Sequence, residues 1–271
     1  MTGDFKLLSV VHQQGVDFVT INNPPVNLLD AQLTDELLRY TARQAECSNV
    51  KVIVFNSADP DFFIARADLQ LFQNYRDEVA NQALLSMYEL IERFHAWGKV
   101  TIGQLAGRAS GAGSEFLMAL DMRFAAIGKA FIRHPEVSLG LLPCKGGTQL
   151  LPRLVGRSRA LEMMLSGQFY NAEQLEAYGY VNRAVMPVAL DAYVRKLAIR
   201  IASAPAAAIA NAKRAVNLST DLDHSLFADE HRLFHEVVGS PDCQQRVGQF
   251  LKHINASRQT ELEMDTRQWG R

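Results

Sequence analysis

Apolar residues fall in short runs, and six of these runs predict strands: 5–11, 16–21, 50–55, 100–105, 122–127 and 181–185. Several are too continuously apolar for a sheet with one wet face. Helical patterns separate many of them. Asp30 is placed to cap a helix that uses Leu33, Leu37 and Leu38, and Leu84, Met87, Tyr88, Ile91 and Phe94 recur at helical spacing. The order predicts a mixed α/β chain.

After Pro187 the pattern turns helical throughout. Leu190, Tyr193, Val194, Leu197, Ala198 and Ile201 share one face, Pro205 opens an alanine-rich helix, and Leu222, Leu226, Leu233, Phe234 and Val237 mark a third. No strand is expected beyond Val185. The last twenty residues are polar, which suits a loose tail or a subunit contact. No internal repeat or low-complexity linker shows. The division expected is a core over 1–200 with a helical region over 201–271, joined by short loops.

Composition narrows the function classes. A 271-residue chain that is 48% hydrophobic can bury one sizeable core. Its 28 Lys and Arg against 29 Asp and Glu, with no clustered basic face, argue against a nucleic-acid partner. Cys47, Cys144 and Cys243 are odd in number and far apart, which fits plain thiols in a reducing compartment. The first residues lack the pattern of a signal peptide, and no stretch has 18 uncharged apolar residues. A soluble, cytoplasmic protein without a membrane partner is expected.

Candidate chemistry begins at Glu136, an acid set in the apolar run Pro135, Val137, Leu139, Leu141, Leu142. A carboxyl there is partly buried and needs a reason. Upstream, Gly107 to Leu120 is rich in small residues, and a helix starting near Ala112 would point free N–H groups at whatever lies above it, as in an oxyanion or phosphate site. Glu115 in that helix reads either as a first-turn acid or as a chemical group. The stretch is not a dinucleotide fingerprint, having no third glycine after Gly111 and Gly113. His134-Pro135-Glu136 with Pro143-Cys144 superficially suggests a zinc deaminase, but Gly147 stands where a second cysteine is required, so metal catalysis is set aside. That leaves His134 as a structural or supporting residue and Cys144 as an apolar filler. Asp68, after Phe62-Phe63-Ile64-Ala65-Arg66-Ala67, is expected to cap a short helix. Two loop-to-helix junctions with exposed N–H groups and two acids are the parts needed to stabilise an oxyanion while moving protons.

Taken in order, these motifs resemble the crotonase superfamily, typified by enoyl-CoA hydratase and enoyl-CoA isomerase, nearly end to end. Asn23-Pro24-Pro25-Val26-Asn27 resembles its Asn-Arg-Pro segment with the following Asn. Phe63 to Leu69 resembles its Phe-x-Ala-Gly-Ala-Asp-Leu, and Gly111-Ala112-Gly113-Ser114-Glu115 its Gly-Gly-Gly-x-Glu. Pro135 to Pro143 with Gly146-Gly147-Thr148 resembles its most recognisable block. The resemblance implies a spiral of repeated ββα units with a C-terminal helical region that assembles homotrimers, often paired as dimers of trimers. It implies an acyl-CoA thioester substrate, coenzyme A entering as part of it with no separate cofactor. The backbone N–H groups of Ala67 and Ala112 would form the oxyanion hole. Glu115 would hold and activate water, and Glu136 would protonate C2. Retention of both acids favours hydration of a 2-enoyl-CoA; an isomerase, a lyase of the same fold or a noncatalytic acyl-CoA binder are the alternatives. Ala65, Arg66, Asp68, Leu69, Gly111, Arg133, Phe250 and Lys252 are the expected substrate-binding positions.

The chain departs from the family pattern in places. Arg66 and Arg133 stand where glycine or a small residue is usual, and either pairs with an anion of the substrate or faces solvent on a tolerant loop. One residue is inserted between Asp121 and Glu136, a change that a turn at Ile127-Gly128 can absorb. Gln70 replaces a common lysine near the nucleotide, and Cys243-Gln244-Gln245-Arg246 replaces an acidic-glycine pair in the tail.

Overall fold

Strands β1 (Leu8–Gln13) and β2 (Val16–Ile21) form an antiparallel hairpin. Its turn, Gln14-Gly15, has positive φ at both residues, the conformation that matches the twist of two flanking strands. Asp30 caps helix α1 (Ala31–Ala45), accepting from Leu33 N at 2.8 Å as its position predicts. The computed structural model describes residues 5–73, 78–219, 223, 225–254 and 258–263.

From here the chain repeats one geometric unit: a strand in a large sheet, a short strand in a small sheet, then a helix. The first unit is β3 (Val52–Ser57), β4 (Phe62–Ile64) and α2 (Glu78–Ala96). The second is β5 (Val100–Leu105), β6 (Arg108–Ser110) and α3 (Ala112–Met118). The third is β7 (Met122–Ala126) and β8 (Phe131–Arg133), followed by a short 3₁₀ turn at Glu136–Leu139 and helix α4 (Gly147–Val155). Helix α5 (Arg157–Ser166), strand β9 (Tyr170–Asn171), helix α6 (Ala172–Tyr178) and strand β10 (Arg183–Val185) complete the core. The large sheet runs β1-β2-β3-β5-β7-β10, parallel except at the hairpin, and the small one runs β4-β6-β8-β9.

The large sheet carries the six predicted strands, shifted by about two residues at 5–11, 50–55 and 181–185. Its inner strands are buried along most of their length, as their continuous apolar runs require. The small sheet has no counterpart among the six predicted runs. Strands of two or three residues are too short to display a period, so β6, β8 and β9 leave no alternation to detect. No strand follows β10 among the described residues. Helix α7 (Pro187–Ala202) packs on β3, β5 and β7, and α8 (Ala206–Ser219), α9 (Ser225–Val238), α10 (Pro241–Ile254) and α11 (Arg258–Glu263) follow it. Leu222 and the tail beyond Glu263 lie outside the described residues, as does the side chain of Leu84. The expected turn at Ile127-Gly128 is present, with Gly128 at φ +73° and open space around it.

Aromatic side chains root the second unit in the core. Phe116 of α3 meets Phe55 of β3 at 5.3 Å between centroids, and Phe55 meets Phe94 of α2 at 5.7 Å, both edge to face. Helix α3 also lies hard against β4: a methyl group built on Gly113 would sit 2.2 Å from the Ile64 carbonyl oxygen. Backbone cannot yield as a side-chain tip does. Gly113→Ala should therefore lower stability by about 1 to 3 kcal/mol through overpacking, measured by urea unfolding. An unchanged midpoint would mean that α3 is free to move.

Candidate active site

The turn from β6 into α3 is built on Gly111, whose φ of 51° and ψ of −118° suit a residue without Cβ. A methyl group there would also strike Glu136 Oε1 at 2.5 Å. This turn leaves the N–H of Ala112, the first residue of α3, without an intrahelical acceptor. Ala67 reaches the same state by another route. It forms a parallel bridge in which Leu29 N donates to Arg66 O at 2.9 Å and Asp68 N to Leu29 O at 3.4 Å, so the N–H of Ala67 itself is not used. Among the described residues neither N–H has an acceptor, and both residues line one narrow cavity of about 50 Å³ with Glu115 and Glu136.

Glu115 is buried, and its Oε1 accepts from the backbone N–H groups of Lys145 at 2.7 Å and Gly147 at 3.1 Å. Burial raises its pKa well above the usual carboxyl value, with the charges of Glu136 and Glu230 adding to the rise; the bond from Lys145 and the Lys145 charge oppose it. Glu136 is pushed up to about 7, again chiefly by burial, while its own backbone N–H and the Arg133 charge hold it down. Two carboxyls in one apolar pocket resist losing both protons. Loss of one proton makes loss of the other harder, so the two carboxyls titrate together.

The sequence reading missed Glu230, which α9 delivers to the far side of the same loop. Its Oε1 accepts from Gly146 N at 2.7 Å and Tyr88 OH at 3.1 Å, and its Oε2 from Thr148 N at 3.0 Å and from the Thr148 hydroxyl. The N–H groups of residues 145 to 148 thus alternate between two buried carboxylates. A lone acid at Glu230, surrounded in sequence by charged and polar residues, reads as a solvated helix face, and only the fold turns it inward.

The cavity gathers most of the expected positions: Arg66, Ala67, Leu69, Gly111, Ala112, Glu115, Arg133, Glu136 and Phe250. Three lie elsewhere. Ala65 is buried with its N–H bonded to the Val26 and Asn27 carbonyls, Asp68 caps the 3₁₀ turn at Leu69–Phe72 and lines a neighbouring groove, and Lys252 is exposed on α10. Arg66 is partly buried and pairs with a carboxylate of its own chain. Its Nε donates to Glu261 Oε1 of α11 at 2.6 Å, its guanidinium lies over the Phe250 ring, and it borders both the cavity and the groove. Arg133 is likewise buried, with Nε on Ser110 Oγ at 3.2 Å and the guanidinium stacked over Phe169. Among the described residues no helix is long and apolar enough to cross a membrane.

Comparison with known proteins fits this geometry. The enoyl-CoA hydratase/isomerase family model matches residues 11–257. The chain belongs to that family. It is 34% identical to the crotonyl-CoA hydratase of Syntrophomonas wolfei over 240 residues, covering 88% of the chain and 92% of that protein. It is 29% identical to a probable enoyl-CoA hydratase of Mycobacterium bovis, covering 92% and 96%. A crystal structure from Streptomyces avermitilis, described as an enoyl-CoA hydratase, superposes with a TM-score of 0.89 at 33% identity over 98% of both chains. The crotonase-type fold expected from the motifs is therefore present, helical C-terminal region included.

A carboxyl held inside a fold costs stability where it must ionise. Glu136 has a folded pKa of about 7 against an ordinary 4.5, so the folded state binds more protons than the unfolded state between those values. Its burial therefore subtracts nothing at pH 4.5 and subtracts most above pH 7. Glu136→Gln should raise the Tm relative to the parent at pH 8, by the equivalent of roughly 1 to 3 kcal/mol, with the gap closing toward pH 5; a gap independent of pH would show that the carboxyl titrates normally. Glu230→Ala, by contrast, strands the donors of Gly146, Thr148 and Tyr88 and should cost about 3 to 5 kcal/mol at pH 7 in urea unfolding.

Proposed function

We propose that the protein is an enoyl-CoA hydratase, adding water across the double bond of a 2-enoyl-CoA. One observation carries the reading: the buried carboxyl of Glu115 and the largely buried one of Glu136, within electrostatic reach of each other, share a cavity with two backbone N–H groups that have no acceptor among the described residues. An enolate thioester needs fixed donors at its oxygen, and the N–H groups of Ala67 and Ala112 supply them without reorganisation. Glu115 is suited to the base. It takes a proton from a bound water whose oxygen bonds to C3, the π electrons move onto the thioester oxygen, and Glu136 delivers its proton to C2 as the enolate collapses. Water thus adds as H and OH, and the pair of acids ends with the same single proton it began with.

The cavity wall of Leu69, Phe72, Leu139, Leu141 and Phe234 suits an acyl chain, and the groove beyond Arg66, lined by Pro25, Val26, Asp68, Gln70 and Leu251, suits the coenzyme A portion. In this reading coenzyme A arrives as part of the substrate and no separate cofactor takes part. Homotrimers, alone or paired, would assemble through the helical region.

Loss of conjugated-thioester absorbance tests the reaction directly. Purified protein should hydrate crotonyl-CoA or a longer 2-enoyl-CoA, and Glu115→Gln and Glu136→Gln should each lower kcat/KM at least about 100-fold. Intact binding of the CoA esters without any loss of absorbance would overturn hydration.

A further inference from the structure

Two polar atoms beside the carboxyl pair have no hydrogen-bond partner: His134 Nδ1 and Glu136 Oε2, both buried and 3.9 Å apart. His134 itself is wholly buried. Its other ring nitrogen, Nε2, lies 3.0 Å from Ser114 Oγ, which lies 2.7 Å from Tyr180 OH, and that hydroxyl is also 3.1 Å from the Ser114 carbonyl oxygen. Gln44, Trp97, Gln104 and Tyr170 also carry an unpaired buried polar atom, but only these two face each other, which points to a contact made in another state of the site.

Two proton orders satisfy this chain, and one of them leaves a donor facing Glu136. Tyr180 has one O–H and can give it to Ser114 Oγ or to the Ser114 carbonyl; Ser114 has one O–H and can give it to His134 Nε2. A neutral imidazole that accepts at Nε2 carries its hydrogen on Nδ1, the atom that faces Glu136. Burial lowers the His134 pKa to about 4, which keeps the ring neutral through the working range. We propose that His134 is a positioning residue for Glu136: held by Ser114 and Tyr180 as the Nδ1–H tautomer, it donates to Oε2 and so leaves Oε1, beside Gly111, as the oxygen that carries the transferred proton. The contact needs a turn of the Glu136 side chain that shortens the gap by about 1 Å. The groups facing Glu136 are Arg133 and His134 on its own segment, Glu115 from α3, and Cys144 and Lys145 from the loop before α4.

This inference rests on the hydratase reading for its kinetic consequence but not for the contact itself, so two measurements separate them. In ¹⁵N-histidine-labelled protein, the His134 signal, assigned by its loss in His134→Asn, should report the Nδ1–H tautomer from pH 6 to 8 and lose it to a mixture in Ser114→Ala. A resting Nε2–H tautomer would overturn the proposal whatever the enzyme turns over. In the hydration assay His134→Leu should lower kcat about 10-fold with little change in KM, and should move the alkaline limb of the pH profile upward, because a donor to the charged carboxylate is lost. His134→Asn, whose amide can reach the Nδ1 position, should restore much of both. A His134→Leu profile with unmoved limbs would reduce His134 to packing, while a parent protein without hydratase activity would fail the proposed reaction and leave the tautomer to decide the contact.

Discussion

The turn at residues 145 to 148 holds two buried carboxylates at once, and the candidate site depends on it. Neither acid could be buried alone, since an ionised or even neutral carboxyl without donors is costly inside a protein. Glu115 takes the N–H groups of Lys145 and Gly147, and Glu230 takes those of Gly146 and Thr148. One short segment thereby serves both α3 and α9. The glycines make this possible: Gly146 sits at φ +84°, and a methyl group on Gly147 would come within 2.6 Å of Glu115 Oε1. A helix of the C-terminal region thereby braces the turn that holds an acid of the core.

The same turn governs protonation. Its donors favour Glu115 as an anion, while burial and the two neighbouring acids push the other way and prevail, leaving its pKa well above the ordinary carboxyl value. Glu136 lacks a donor on Oε2 and has only the Arg133 charge and its own N–H to favour ionisation. An acid–base pair needs this asymmetry: like carboxyls in one pocket, distinguished by which of them the backbone addresses.

Legibility in the sequence followed range. The six long strands, the caps at Asp30 and Asp68 and the start of α3 near Ala112 all rest on local patterns, and each is found where those patterns place it or within about two residues. Glu136 stood out because an acid inside an apolar run breaks the pattern around it. The small sheet did not, since β6, β8 and β9 are too short for a period, and the repeat of ββα units is one of geometry with no matching self-similarity in the residues. Glu230 escaped because its partners lie more than eighty positions upstream, and nothing near it in the chain distinguishes a buried acid from a solvated one.

Arg66 shows the same limit with more consequence for function. Read locally, a guanidinium in place of a small residue either binds an anion or faces water; the fold supplies a third option, a carboxylate 195 positions away. With side chains 14% and 6% exposed, the Arg66–Glu261 pair is shielded from the solvent and salt that make surface pairs weak, and breaking it strands a charge in a poorly hydrated place. The pair also stands between the acid-lined cavity and the outer groove, with Phe250 beneath the guanidinium. In the proposed reaction a thioester spanning both spaces would pass this partition, so the bulk of Arg66 would act on the passage between them and not on the carboxyl pair. Arg133 differs, because its charge acts on Glu136 directly; in that reaction the two arginines that replace small residues would bear on different steps, one on access and one on proton transfer.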